Sequence, residues 1–373
     1  MLCSSCSNRL VFQSVRNATN LQIKRGGISS KLKKKKNAQE KELPSTSSAE
    51  KVFLFNNEEA SRLCQTYPNE IDNLSRKLRN ITEKRIEMRE EHKALMLEVF
   101  FTLKKSLENK ERRLYPIGSV VTGLGDENSD LDMVLMPFSK DSSCDEFQKK
   151  FEKNEFFREN FLKSVRNVVG KTLRPQRCSY YSKAAVPIVQ FNLGSLVGDI
   201  QFNNAGTVRS SLYIKSCAEN DYRVQMLVDW VKTNFKKHSL LGKQLFRPYH
   251  VYMLVLHFLN AIESNLVPLT SGHVQLSPTY SWISSGSLIT SGKSVNVKNP
   301  SEKSKLSCGE LVVFMIDYFS QINLAQVAIH VDGMTLMKRQ ENDEDSDFLD
   351  IIDPYFTTGR RFAEKAIRSK EMG

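Results

Sequence analysis

The sequence predicts an α+β protein in which a mixed sheet with helices sits against a mostly helical second domain across a cleft. Three observations point there. Apolar residues recur at spacings of three and four before residue 108 and again after residue 210, but form short runs of strand length in between. A segment with three glycines, 118–129, leads directly into Asp130-Leu131-Asp132 and the apolar run Met133-Val134-Leu135-Met136. Two β-rich runs, 186–193 and 196–202, flank Gly194-Ser195, which reads as a hairpin.

Each element follows from its local pattern. Residues 1–51 are rich in Ser, Lys and Asn and poor in large apolar residues after Phe12, so they read as a disordered basic tail. Residues 56–108 read as helical: no Pro or Gly occurs between Ile71 and Leu107, and Leu74, Leu78, Ile81 and then Leu95, Leu97, Phe100, Leu103 keep helical spacing. Residues 113–117 are short and extended, 118–129 a loop, and 131–136 a strand. Helical spacing returns over 145–170, before the hairpin. Residues 210–235 are helical, and 247–261 form a helix opened by Pro248. Residues 264–305 are a long loop rich in Ser, Gly, Pro and Asn, 309–321 a last strong helix, and 340–350 an acidic surface loop. The expected division is a tail (1–51), N-terminal helices (52–108) packing with the helical domain, an α/β unit (109–205) and the helical domain (206–373).

Composition narrows the classes. The 373 residues suffice for two domains, and 40% hydrophobic with 26% charged content is ordinary for a globular protein. The longest apolar stretch, 251–262, is too short for a membrane span and contains His257 and Asn260, so it reads as a buried core helix. The net charge of +12 is concentrated: residues 1–51 carry 11 Lys/Arg against 3 Asp/Glu, which leaves the rest only mildly basic. No acid precedes Glu40, as in a mitochondrial transit peptide, while Lys31 and Lys33 to Lys36 fit a nuclear signal, and a basic leader with no address fits both. Seven scattered cysteines argue for a reducing compartment and against a disulfide framework. Cys3-x-x-Cys6 has no second pair nearby and makes a poor zinc site.

The chemistry concentrates at Asp130-Leu131-Asp132. Period-two geometry turns both carboxylates to one face of a strand, where they repel unless a cation neutralises them. Mg²⁺ binds through one or two carboxylates plus substrate phosphates, which suits a nucleoside triphosphate. Gly118-Ser119 fits the same picture: glycine lets backbone N–H groups approach phosphate, and the serine hydroxyl can bond a phosphate oxygen. Asp199, in the second arm of the hairpin, completes a triad if its strand pairs beside the Asp130 strand. Two metals could then activate a 3′-hydroxyl and stabilise departing pyrophosphate.

This set resembles the DNA-polymerase-β-type nucleotidyltransferases, and within them the atypical, germline-type cytoplasmic poly(A) polymerases and their terminal uridylyltransferase relatives. The resemblance covers about residues 56–367. It implies a nucleotidyltransferase palm over 109–205, with Asp130, Asp132 and Asp199 holding two Mg²⁺ or Mn²⁺ ions. It further implies that Arg209-Ser210-Ser211 touches sugar and base, although Ser210 and Ser211 replace the family's Asn and Thr. Lys232 and Lys236, four apart on one helix face, are implied to reach the triphosphate. Tyr249 falls where the family stacks a tyrosine on the incoming base, with Pro248 in place of a serine. Gly309-Glu310-Leu311 and the helix to Tyr318 resemble a further family helix. Asp353-Pro354-Tyr355 and Gly359-Arg360-Arg361 resemble the closing segment, where uridylyltransferases often carry a histidine; none occurs between Asp353 and Gly373, which leans towards ATP.

The expected activity is template-independent transfer of AMP from ATP to an RNA 3′ end. Terminal uridylyl transfer by the same machinery is the nearest rival, decided by extension assays with each nucleotide alone. A catalytically silent scaffold for RNA or protein is the rival of another class; loss of a metal carboxylate would mark it, and all three are present. No zinc knuckle or RNP-like aromatic motif is seen, so the resemblance implies an RNA-binding partner protein and weak, salt-dependent binding by the chain alone. Cytoplasm is the implied location, with nucleus and mitochondrion left open.

Overall fold

Pro68 starts a helix of 40 residues and is tolerated there because the N–H that proline lacks has no partner in a first turn. In the computed structural model this helix, α2 (Pro68–Leu107), follows a short α1 (Glu58–Thr66), so the single helical stretch expected over 56–108 is two helices broken at Tyr67. The structure describes residues 55–137, 143–184, 186–202, 205–242, 246–262, 306–322, 327–331, 336–338 and 350–352. The tail 1–51, the loop 264–305 and the motifs at Asp353 and Gly359 lie outside the described residues, as does the acidic stretch except Asp350.

The middle of the chain builds β1 (Arg112–Pro116), a one-turn α3 (Ser119–Thr122), β2 (Leu131–Pro137), α4 (Ser143–Lys153), α5 (Glu155–Leu173), β3 (Arg177–Tyr181), β4 (Ile188–Leu193) and β5 (Leu196–Phe202). These five strands form one sheet in the order β1-β2-β5-β4-β3. β2 and β5 run parallel and the other neighbours antiparallel. The hairpin turns at Gly194-Ser195, with Leu193 paired to Leu196 and Gly194 at φ +60. β3 was not expected: Arg177-Cys-Ser-Tyr-Tyr181 has no apolar alternation because it is an edge strand with neither face fully covered.

The helical region comprises α6 (Ala205–Asn220), α7 (Tyr222–Lys237), α8 (Pro248–Ile262) and α9 (Cys308–Gln321). The one helix expected over 210–235 is two, because Asp221 leaves the helical conformation and its carboxylate caps α7 by accepting from the Arg223 N–H. α9 begins with a capping box between Ser307 and Glu310. A small sheet of β6 (Val327–His330), β7 (Leu336–Lys338) and β8 (Asp350–Ile352), also not expected, lies beside α8. No described helix is long and apolar enough to cross a membrane.

Two apolar cores result. One lies under the sheet and takes Leu131, Met133, Val189, Phe191 and Ile200 together with Leu162, Val165 and Val169 of α5. The other is helical and takes Val224, Leu227, Val255, Phe258, Leu311 and Met315. The long α2 serves both: Leu78 enters the helical core, and Val99, Phe100, Leu103 and Leu107 enter the sheet core. At about 1.5 Å per residue it is long enough to strap one to the other. The segment from α3 to β2 is divided in the same way, with Val120 and Val121 of α3 in the sheet core and Leu124 beyond it in the helical one.

Candidate active site

Parallel pairing of β2 with β5 sets Asp132 directly beside Asp199. Asp130 stands just before β2, exposed, and its charge reaches both other carboxylates. Burial, then the negative charges of Asp199 and Asp130, push the Asp132 carboxyl up to about 7. Burial also raises Asp199, reinforced by Asp130 and opposed by a hydrogen bond from Gln190. Asp199 Oδ1 is buried and accepts no hydrogen bond. A carboxylate oxygen is acceptor-only, so what completes it is a cation or a donor brought by a ligand.

The chemistry of these donors suits hard divalent ions, since ionised carboxylates offer oxygen acceptors only. Among the described residues, no three acid, His or Cys side chains are gathered closely enough to hold a metal ion together. Of the three carboxylates expected from sequence, the strand pairing brings Asp132 and Asp199 side by side, while Asp130 is linked to them through its charge.

Opposite the carboxylates lies the turn at Gly118. Its φ of +65 suits glycine, and a Cβ placed there would stand 3.0 Å from Asp132 Oδ2. The Gly118 N–H donates to Ser211 Oγ at 3.1 Å, which ties the turn to α6. Ser119 opens the one-turn α3, and its hydroxyl sits 3.5 Å from the Asp130 carbonyl. The remaining sequence-derived residues fall around this turn. Ser210 Oγ and Tyr249 OH are 3.2 Å apart, so the two are brought together although 39 residues separate them. Lys236 is exposed, and its charge reaches Asp126.

Lys232 differs from expectation. Its ammonium is buried, donates to the Leu124 carbonyl at 3.1 Å and lies 3.8 Å from Asp126 Oδ2. Burial lowers the Lys232 pKa while Asp126 and Asp229 support its charge. Burial would raise Asp126, but Lys232 and the Ser129 hydroxyl outweigh it and hold that carboxyl below its ordinary value. Helical spacing put Lys232 on the right face of α7; the depth at which that face meets the loop makes it a loop ligand here.

Four further residues meet this site that sequence reasoning did not find. Arg89 donates to the Gly125 carbonyl at 3.0 Å, His92 Nε2 to the Ser129 carbonyl at 2.7 Å, and Tyr252 OH to the Leu124 carbonyl at 3.2 Å. Gln190 bonds Asp199 from the neighbouring strand. Only Asp126-x-x-Ser129, a local side-chain turn in which Ser129 Oγ accepts from the Asp126 N–H at 2.8 Å, carried a sequence signal.

Comparison with known proteins agrees with this geometry. Residues 69–218 match the family model described as "Poly(A) RNA polymerase, mitochondrial-like, central palm domain". Over 164 residues the chain is 27% identical to poly(A) RNA polymerase gld-2 of Caenorhabditis elegans, a match covering 42% of this chain and 14% of that protein. The match to poly(A) RNA polymerase GLD2-B of Xenopus laevis is 25% over 166 residues, covering 42% and 30%. The match to human poly(A) RNA polymerase GLD2 is 25% over 174 residues, covering 42% and 32%. The matched stretch thus spans less than a third of each of these relatives. In fold, the chain is similar to a structure of the GLD-2/RNP-8 complex, with TM-score 0.56, 21% identity, and 72% and 81% of the two chains covered. It is also similar to Cid1 in complex with the UTP analog UMPNPP, with TM-score 0.58, 17% identity, and 80% and 89% covered. Residues 69–218 are thus similar to a poly(A) RNA polymerase central palm domain, and the chain shares its overall fold with GLD-2 and Cid1.

Proposed function

We propose that this chain transfers AMP from ATP to the 3′ end of RNA without a template. The observation that carries the reading is the pairing of Asp132 with Asp199 on parallel strands, with Asp130 in electrostatic reach and Asp199 Oδ1 lacking a hydrogen bond. Asp130, Asp132 and Asp199 would hold two Mg²⁺ or Mn²⁺ ions. When bound, such ions lower the pKa of an attacking hydroxyl and neutralise charge on a departing pyrophosphate. The chain's own residues do the positioning. The turn at Gly118 and the Ser119 hydroxyl receive the triphosphate, and Lys236 lends positive charge from the exposed end of α7. Lys232 contributes by holding the loop from beneath. Ser210 and Ser211 flank the sugar, and the Tyr249 ring offers a stacking face for the base.

ATP is favoured over UTP because the matched sequence relatives are named poly(A) RNA polymerases and no histidine occurs between Asp353 and Gly373. GLD-2 is solved in complex with RNP-8, which supports a protein partner for this chain as the means of finding its RNA. Purified chain with Mg²⁺ and an oligo(A) primer is to be given each of the four nucleotides separately. ATP should extend the primer best, and Asp130→Ala should abolish extension. A wide preference for UTP would replace the base assignment; undiminished activity in Asp130→Ala would remove the site.

A further inference from the structure

The loop of residues 118–129 carries the Gly118-Ser119 turn on one side and is gripped on the other. Its backbone carbonyls accept from three different helices: Leu124 from Lys232 of α7 and Tyr252 of α8, Gly125 from Arg89 of α2, and Ser129 from His92 of α2. Three of these donors are buried, with Arg89 at 7%, Lys232 at 8% and Tyr252 at 6% exposure. Burial raises the Tyr252 phenol well above its ordinary pKa, so it stays protonated and can only donate to that carbonyl. The Leu124 side chain, 1% exposed, is seated in the helical core. Gly125 leaves no room for a side chain, since a Cβ there would lie 2.7 Å from Ser119 Cβ.

Packing alone does not fix this loop. An open pocket of about 200 Å³ borders it and α2, lined by Arg89, Lys93, Met96, Ser119, Gly125 and Gln225. Beside that open space, the loop is held by the directed bonds to its carbonyls. Removing a donor leaves a loop carbonyl with one bond fewer, with Lys232 remaining on Leu124 when Tyr252 is lost, and this loosens the turn that carries Ser119.

We propose that Arg89 and Tyr252 are positioning residues of the nucleotide site, which hold the Gly118-Ser119 turn in the shape that receives a triphosphate. The proposal rests on the nucleotidyl-transfer reading for what the loop binds, and on the loop geometry alone for what holds it. Neither residue touches the nucleotide; both act through the carbonyls of Leu124 and Gly125.

The test uses the full chain and the variants Tyr252→Phe, Arg89→Met and Arg89→Lys. Amide hydrogen exchange across residues 118–129 should accelerate about fivefold or more in Tyr252→Phe and Arg89→Met, as expected for the loss of one hydrogen bond. Arg89→Lys should restore part of the protection, and exchange across the hairpin 188–202 should not change. In primer extension, KM for ATP should rise about tenfold with kcat within about threefold of wild type. Tyr252→Phe in a Ser119→Ala background should add less than about twofold, since the two share one loop. Unchanged loop exchange in both Tyr252→Phe and Arg89→Met overturns the proposal, as does faster exchange with an unaltered KM or fully multiplicative effects with Ser119→Ala. An inactive wild type overturns the catalytic reading instead, and the exchange measurement still decides the clamp.

Discussion

The acidic strands and the glycine loop face one another across the same space and are built on opposite principles. β2 and β5 hold carboxylates that the protein compensates only in part: Asp132 is pushed up to about 7, and Asp199 is bonded by Gln190 while its Oδ1 accepts no hydrogen bond. The loop at 118–129 is over-determined, with the carbonyls of Leu124, Gly125 and Ser129 each met by a helix side chain. The difference teaches where a ligand is to supply stabilisation. The strands wait for positive charge, while the loop is already shaped and asks nothing of the nucleotide but its phosphates.

Removing a carboxylate should break the comparison most strongly. Asp132→Asn should lower primer extension by about a thousandfold or more, because a cation site loses one of its anionic ligands. The same change should raise the melting temperature of the metal-free protein at pH 8, because it deletes a repelled, buried charge. A fall in both quantities would mean that Asp132 is structural. Leu124→Ala tests the other side. Truncating a side chain seated in the helical core should cost about 2–5 kcal/mol, read as a lower denaturant midpoint, and should also speed amide exchange in the loop. A stability loss with unaltered loop exchange would detach the loop from that core.

The pH dependence sharpens the contrast further. An unfolded Asp132 titrates near its ordinary value of 3.8 and the folded one near 7, so the folded chain binds more protons between those values. In EDTA, this group should therefore make stability fall as pH rises from about 4 to 7 and leave the full penalty above 7. Mg²⁺ or Mn²⁺ should raise the melting temperature more at pH 8 than at pH 6; an equal rise at both would argue against binding at these carboxylates. The smallest effect belongs to a site outside both regions. Asn154 caps α5 by accepting from the Phe157 N–H at 2.9 Å, and Asn154→Ala should cost about 1 kcal/mol with primer extension unchanged.

Much of the frame was legible residue by residue. The apolar run at 133–136, the β-rich run at 196–202, the glycine-serine hairpin turn and the acid pair at strand spacing were all local signals. The edge strand β3 was not legible, because with both faces part-exposed it needs no alternation. The strands at 327–330, 336–338 and 350–352 were too short to raise a periodic signal. The break between α6 and α7 hung on one capping carboxylate, Asp221, inside an otherwise continuous helical pattern.

By itself the sequence determined that the carboxyls of Asp130-Leu131-Asp132 stand at the two-residue spacing of a strand, since that spacing is local and needs no partner. Only the tertiary structure decided that β5 lies parallel beside β2, which turned two distant acidic segments into one charged row. It likewise decided that Lys232, Arg89 and Tyr252 converge on loop carbonyls, from helices 36 to 128 residues away in the chain. A backbone carbonyl is present at every position and carries no sequence signature, so which donor reaches it is settled only when the helices pack.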